Sequence, residues 1–149
     1  MKGLQDDLRI DLMDWCEAAP LATPLRYRVF VVEQGVPPEL EMDALDSSCR
    51  HAVVRNAAGD VIATGRLLPD GHIGRMAVAA AWRKRGVGGV VLEALVAEAA
   101  ARGMGEVVLN AQVHAEPFYR RHGFAAEGEI FMEAGIAHRA MRRPLSARA

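Results

Sequence analysis

Aromatic residues make up only 5% of this chain, and cysteine is limited to Cys16 and Cys49. Two cysteines do not make a disulfide scaffold, and nothing in their spacing points to an oxidising compartment. The five histidines are scattered, without paired Cys/His spacing, so no metal site is expected. No window approaches the ~18 uninterrupted apolar residues of a spanning helix. Met1 to Asp14 alternates charged with apolar residues and lacks the apolar core of a signal peptide, so the expected location is cytoplasmic, with no membrane partner. Charge of one sign is not in excess either. Lys+Arg 18 against Asp+Glu 19 gives a formal net charge of -1, which argues against a nucleic-acid partner. Linkers, internal repeats and low-complexity tracts are missing too, leaving one domain over residues 1–149 as the simplest organisation.

What the chain does have is 51% hydrophobic residues over 149 positions, enough for a core without disulfides or metal. Leu8, Ile10 and Leu12 alternate with Arg9, Asp11 and Met13, as in a half-buried first strand. Pro20 and Pro24 are expected to bracket a turn and open a helix that carries Leu25, Val29, Phe30 and Val32, with Arg26, Arg28 and Glu33 decorating its surface. Gly35-Val36-Pro37-Pro38 should stop that helix, and the acids Glu39, Glu41, Asp43 and Asp46 should follow as a loop or broken short helix, a solvated charge run that could attract a cationic amine. Three antiparallel strands are expected at 51–55, 61–68 and 73–78. A helix to Arg102-Gly103, a strand at 106–111, a helix at about 115–122, a strand opened by Phe124 and a last strand at 136–143 complete the order. The fold class is α+β: a mixed, mostly antiparallel sheet with a central parallel pair, 73–78 beside 106–111, flanked by helices.

Between strand 73–78 and the following helix lies Arg83-Lys84-Arg85-Gly86-Val87-Gly88-Gly89. Glycines let backbone approach a ligand closely, and the first N–H groups of a helix point outward beneath its positive dipole end, so this turn suits an anion. Cations at a helix N-terminus oppose the dipole unless an anion intervenes. A Walker loop needs Gly-Lys-Ser/Thr, and here Gly88-Gly89 precedes Val90; a dinucleotide fingerprint needs a third glycine where Val91 stands. A pyrophosphate seat of another design remains, Arg83-x-x-Gly86-x-Gly88.

That segment resembles the coenzyme A signature of the GNAT superfamily of acyl-CoA-dependent N-acetyltransferases. Val78, then Arg83, Gly86 and Gly88, then Ala115, Phe118-Tyr119 and Gly123-Phe124 match that family's order and spacing. Val29-Phe30 with Glu33-Gln34, Asp43, Asp46, His51, Ala111-Gln112 and Ile136-Ala137-His138 resemble its ElaA-like branch. Ala80 stands where many members carry proline, and Gln112 where many carry asparagine. The resemblance implies a GNAT-like domain that moves an acetyl group from acetyl-CoA to an amine, with no metal. It implies coenzyme contacts from Met76, Ala77, Val78, Arg83, Lys84, Arg85, Gly86, Val87, Gly88, Gly89, Gln112 and Phe118, and a proton for the departing thiolate from Tyr119. For the general base, His114 and Glu33 lead, ahead of His51, His138 and Glu129. Two other readings stay open: an acyl-homoserine-lactone-synthase-like acyltransferase, suggested by Arg26-x-x-Val29-Phe30 and the spaced acids, and a non-catalytic module that senses acyl-CoA. Small domains of this kind often pair through edge strands, so a homodimer is an option.

Overall fold

The computed structural model describes residues 8–145; the ends of the span expected as one domain, 1–149, lie outside the described residues. Strands β1 (Arg9–Asp14), β2 (Arg50–Arg55), β3 (Val61–Leu67) and β4 (Ile73–Val78) form one antiparallel sheet in sequence order. Strands β5 (Glu106–Gln112), β6 (Ala125–Glu133) and β7 (Ile136–Pro144) form a second sheet in the order β5-β7-β6. One parallel bridge, His72 with Val108, joins the two sheets where β4 begins. There Val108 N–H donates to Gly71 O at 3.1 Å, and beyond that point the strands part. The parallel pair expected from sequence is thus a single contact followed by a gap.

Helices clamp the first sheet from both sides. On one face, α3 (Val87–Ala101) buries Val91, Leu92, Leu95 and Ala99 against Ala52, Val54, Ala63 and Ile73, with Phe124, just before β6, and Met141 of β7 closing the same core. On the other face, α1 (Trp15–Arg26) packs Ala18 on Met13 and Val53, while Leu25 and Val29 pack on Ala77.

The first helix departs from the sequence reading. It starts at Trp15 and runs through both prolines, then widens into a π-helical segment at Tyr27–Glu33. Ala18, Ala22, Leu25 and Val29 line up at helical spacing and bury one continuous stripe. Pro20 and Pro24 lie on the exposed side, where solvent can reach the carbonyls their missing N–H groups leave unpaired. Burial of the stripe therefore outweighs the local penalty of proline.

A β-bulge sets the line of β4. Thr64 pairs with Ala77 and Arg66 with Gly74, so Arg75 and Met76 together stand opposite Gly65. The extra residue flips the facing of the rest of the strand. Ile73 and Met76 lie on the α3 side, whereas Ala77 turns to α1. Gly65 itself is required by packing: a Cβ there would sit 2.8 Å from Val91 Cγ1 and 3.0 Å from Leu95 Cδ1. We expect Gly65→Val to lower stability by about 1–3 kcal/mol through overpacking, read as a fall in the urea midpoint without a change in slope.

Candidate active site

The gap between the parting strands opens into a cavity of about 600 Å³. Phe30 and Gln34 wall it from the tail of the first helix, Arg75 and Met76 from β4, Asn110 and Gln112 from β5, and Glu133 and His138 from the β6–β7 hairpin. Tyr119, on α4 (Glu116–Arg121), enters the gap with its hydroxyl 3.9 Å from Met76 Sδ. Burial pushes its phenol up to about 12, so it stays protonated through the physiological range. Phe118 and Phe124 pack edge-on to its ring at 5.0 and 5.9 Å between centroids, which fixes its direction.

His138 sits on the same cavity, with Nδ1 2.7 Å from Ile136 O and its ring stacked on Phe131. A carbonyl only accepts, so in the neutral ring Nδ1 carries the proton and Nε2 keeps the lone pair. The bases ranked first from sequence are elsewhere. His114 is exposed in the turn after β5 and does not line the cavity. Glu33 accepts from Arg83 Nη2 at 2.5 Å and is likewise absent from the lining.

The glycine turn lies at the head of α3, past the end of β4, and none of Arg83–Gly89 is among the residues that line the cavity. Gly86 takes φ 84° as the N-cap, and Lys84 before it also has positive φ, at 64°. The first intrahelical bond is Val90 N–H to Gly86 O, which leaves the N–H groups of Val87, Gly88 and Gly89 pointing out of the helix end. Gly88 lies under Phe118 and Gly89 under His122, where a Cβ would come within 3.6 and 3.1 Å of those rings. Val87 and Ala77 turn their side chains into the core, so only their backbone is available to a ligand. Among the three cations, Arg83 Nε donates to Val78 O at 2.9 Å and Arg85 stacks on Trp82 at 4.9 Å. Gln112 Nε2 donates to Gln34 Oε1 at 3.0 Å and ties β5 to the tail of the first helix.

The acidic segment takes the form of a broken short helix, but Glu41 and Asp46 are not solvated. A short helix, α2 (Pro38–Glu41), and the turn after it fold Glu41 and Asp46 inward. Arg26, expected on the surface, is only 3% exposed and meets Asp46 through two hydrogen bonds of 3.0 Å and Glu41 through one of 2.6 Å. Arg66 binds Asp46 at 2.8 Å and Asp43 at 2.7 Å. His51 Nε2–H donates to Asp46 O at 2.9 Å, and its ring rests on Trp15. Burial works to raise the Asp46 carboxyl, but the hydrogen bonds and charges of Arg26 and Arg66 win and hold it below its ordinary value. Burial holds the His51 ring below its ordinary value, hence neutral. Sequence reasoning missed Arg66, Arg75 and Glu133. An arginine in the middle of each of two otherwise apolar strands was the available signal.

Residues 18–145 match the family model described as the acetyltransferase (GNAT) domain. The N-acetyltransferase YjcF of Bacillus subtilis, itself uncharacterized, is 39% identical over 122 residues, covering 80% of this chain and 87% of that protein. An acyl-CoA N-acyltransferase from Pseudomonas aeruginosa superposes with a TM-score of 0.82 at 32% identity over 91% of this chain and 99% of the other. Escherichia coli ElaA does so at 0.81 and 27% identity, with the same shares covered.

Removing one partner of the buried network leaves charge uncompensated, so Asp46→Asn should cost about 3–5 kcal/mol in urea unfolding at neutral pH. The unfolded chain binds protons that the folded one refuses. Wild-type stability should therefore slip below about pH 6.5 as His51 resists charging, then fall steeply below about pH 4 as Asp46 is driven through its lowered value. Asp46→Asn should flatten the second limb.

Proposed function

The chain belongs to the GNAT family of N-acetyltransferases, and on that premise we propose that it moves an acetyl group from acetyl-CoA to a primary amine by direct attack. Tyr119 donates the proton to the leaving sulfur, and His138, rather than His114 or Glu33, takes the proton from the amine. The observation that carries this reading is the meeting of Tyr119 and His138 on one cavity in the gap between β4 and β5.

The residues fit the donor. The unpaired N–H groups at the head of α3, with Gly86 in the left-handed region and no side chain at Gly88, suit a pyrophosphate. Lys84 and Arg85 are exposed there to meet phosphate charge, and Arg83 joins them on releasing Glu33. The relative named as an acyl-CoA N-acyltransferase points the same way. Bound acetyl-CoA supplies a thioester carbonyl to the cavity. Backbone groups from Met76 to Val78, beside the bulge, orient that end, and preorganised N–H dipoles there stabilise charge that develops on the carbonyl oxygen.

The amine must be neutral when it attacks. His138 Nε2 accepts its proton, the new C–N bond forms, the C–S bond breaks, and the Tyr119 proton passes to the sulfur. A phenol held up to about 12 keeps that proton until the thiolate develops. An acyl-CoA sensor would leave this buried phenol and the free imidazole nitrogen without a task.

A panel of amines assayed for acetyl-CoA-dependent thiol release tests the reading. We expect Tyr119→Phe to lower kcat by about 10²–10⁴ while calorimetric affinity for acetyl-CoA holds. His138→Gln should lower kcat by a similar factor, again with acetyl-CoA affinity retained. Unchanged turnover in either variant removes that residue from the mechanism.

A further inference from the structure

Three arginines and three carboxylates meet beneath the cavity, and they are not equally satisfied. Arg26 and Arg66 make their contacts to Glu41, Asp43 and Asp46 at 2.6–3.0 Å. Arg75 comes only to 3.8 Å from Glu41 Oε2 and 3.5 Å from Asp43 Oδ2. Its Nη2 donates instead to the carbonyls of Leu40 and Glu41, each at 3.2 Å, and its Nε, like that of Arg66, has no hydrogen-bond partner among the described residues. Its side chain keeps 24% of its surface open and forms part of the cavity wall.

The backbone at Arg75 is held in an unusual state. With φ 49° at the bulge, it occupies the left-handed region in which a residue with a Cβ is disfavoured. Met76, the next residue, touches the Tyr119 hydroxyl, so Arg75 stands one residue from the reacting centre proposed above. The hairpin wall carries the opposite charge. Glu133 precedes a turn in which Ala134 and Gly135 both take positive φ, and its carboxylate accepts only a long 3.4 Å bond from Asn110 Nδ2. Burial lowers the Arg75 guanidinium below its ordinary value, and the Arg66 and Arg26 charges lower it further against Asp43 and Glu41.

Resting on the acetyl-transfer reading, we infer that the acceptor amine also carries a carboxylate, bound by Arg75, which makes the substrate class a small amino acid or other short amino-carboxylate. Glu133 receives the ammonium as it enters, and His138 deprotonates it beside the thioester. Of the acids in the 39–46 segment, Glu41, Asp43 and Asp46 do not draw in a polycation, because Arg26 and Arg66 already hold them; Glu39 is exposed outside the cavity lining. A cavity of about 600 Å³ shared with the end of the donor suits an acceptor of this size.

Three acceptor sets, assayed for acetyl-CoA-dependent thiol release with wild-type protein, test the inference: free L-amino acids, their carboxamides, and diamines without a carboxylate. We expect the best amino acid to exceed its carboxamide in kcat/KM by about ten- to a hundredfold, the value of a charged hydrogen bond. Arg75→Gln should bring that ratio close to one, chiefly through the KM for the acid, and Arg75→Lys should restore part of it. Thermal melts should show stabilisation by the free amino acid and not by the amide. Equal rates on acid and amide, or preference for diamines, overturn the inference and leave acetyl transfer standing. Failure of every amine to release thiol, with acetyl-CoA bound, overturns both. The acid-against-amide comparison needs no variant, so it holds even where Arg75→Gln fails to fold.

Discussion

Asp46 is the hinge of the ionic arrangement on which the site depends. One carboxylate accepts from Arg26 on the first helix and from Arg66 on β3, and its own backbone carbonyl accepts from His51 on β2. Three elements far apart in sequence are thereby referred to one residue. Such a cluster adds little net stability over a well-packed apolar equivalent, because each charge gives up its hydration. Its geometry is restrictive, however, and that restriction is what shapes the floor of the cavity. With Asp46 fixed, Glu41 and the carbonyls of Leu40 and Glu41 are brought up under Arg75, so a surface that would otherwise be a mobile acidic loop becomes a wall of defined charge.

Above that floor, the site is the product of a failure to pair. Strands β4 and β5 meet once, at His72 and Val108, and then part because each is committed elsewhere: β4 to β3 through a bulged register, β5 to β7. The cost of unpaired backbone is tolerable only where the opening is lined by groups that water or a ligand can satisfy. Glycine keeps the opening shallow and close to the helices. Gly65 lets α3 press on the bulge, and Gly88 and Gly89 let α4 lie across the head of α3.

Most of the architecture is legible in the sequence. The strand at 73–78 coincides with β4, and the helix after the glycine turn, the hairpin strands and the last strand keep the expected order. Alternation, turn residues and Gly/Pro punctuation carry that information locally. The first helix escapes such a reading because proline counts locally as a breaker, whereas the apolar stripe from Ala18 to Val29 decides the matter through burial against two strands. The acidic segment escapes it for a related reason. Whether Glu41 and Asp46 are solvated depends on where Arg26 and Arg66 lie, and they lie 15 and 20 residues away. At the site itself, Tyr119 and the turn residues stand in a recognisable spacing. Arg75 and Glu133 do not: an arginine within an apolar strand signals a paired or buried cation, but nothing local says that it faces a cavity. His138 outranks His114 and Glu33 only once the hairpin is seen to fold back over the gap.

The parting of β4 and β5 also has a meaning in terms of sheet continuity. Two strands running the same way, joined at one end and open at the other, leave inner edges whose N–H and C=O groups do not pair with each other. Any occupant that is thin, extended and rich in amides can lie between them and hydrogen-bond to both edges at once. The four-stranded and three-stranded sheets, sharing one bridge, thus present two facing edges that could pair with a guest that need not be made of amino acids.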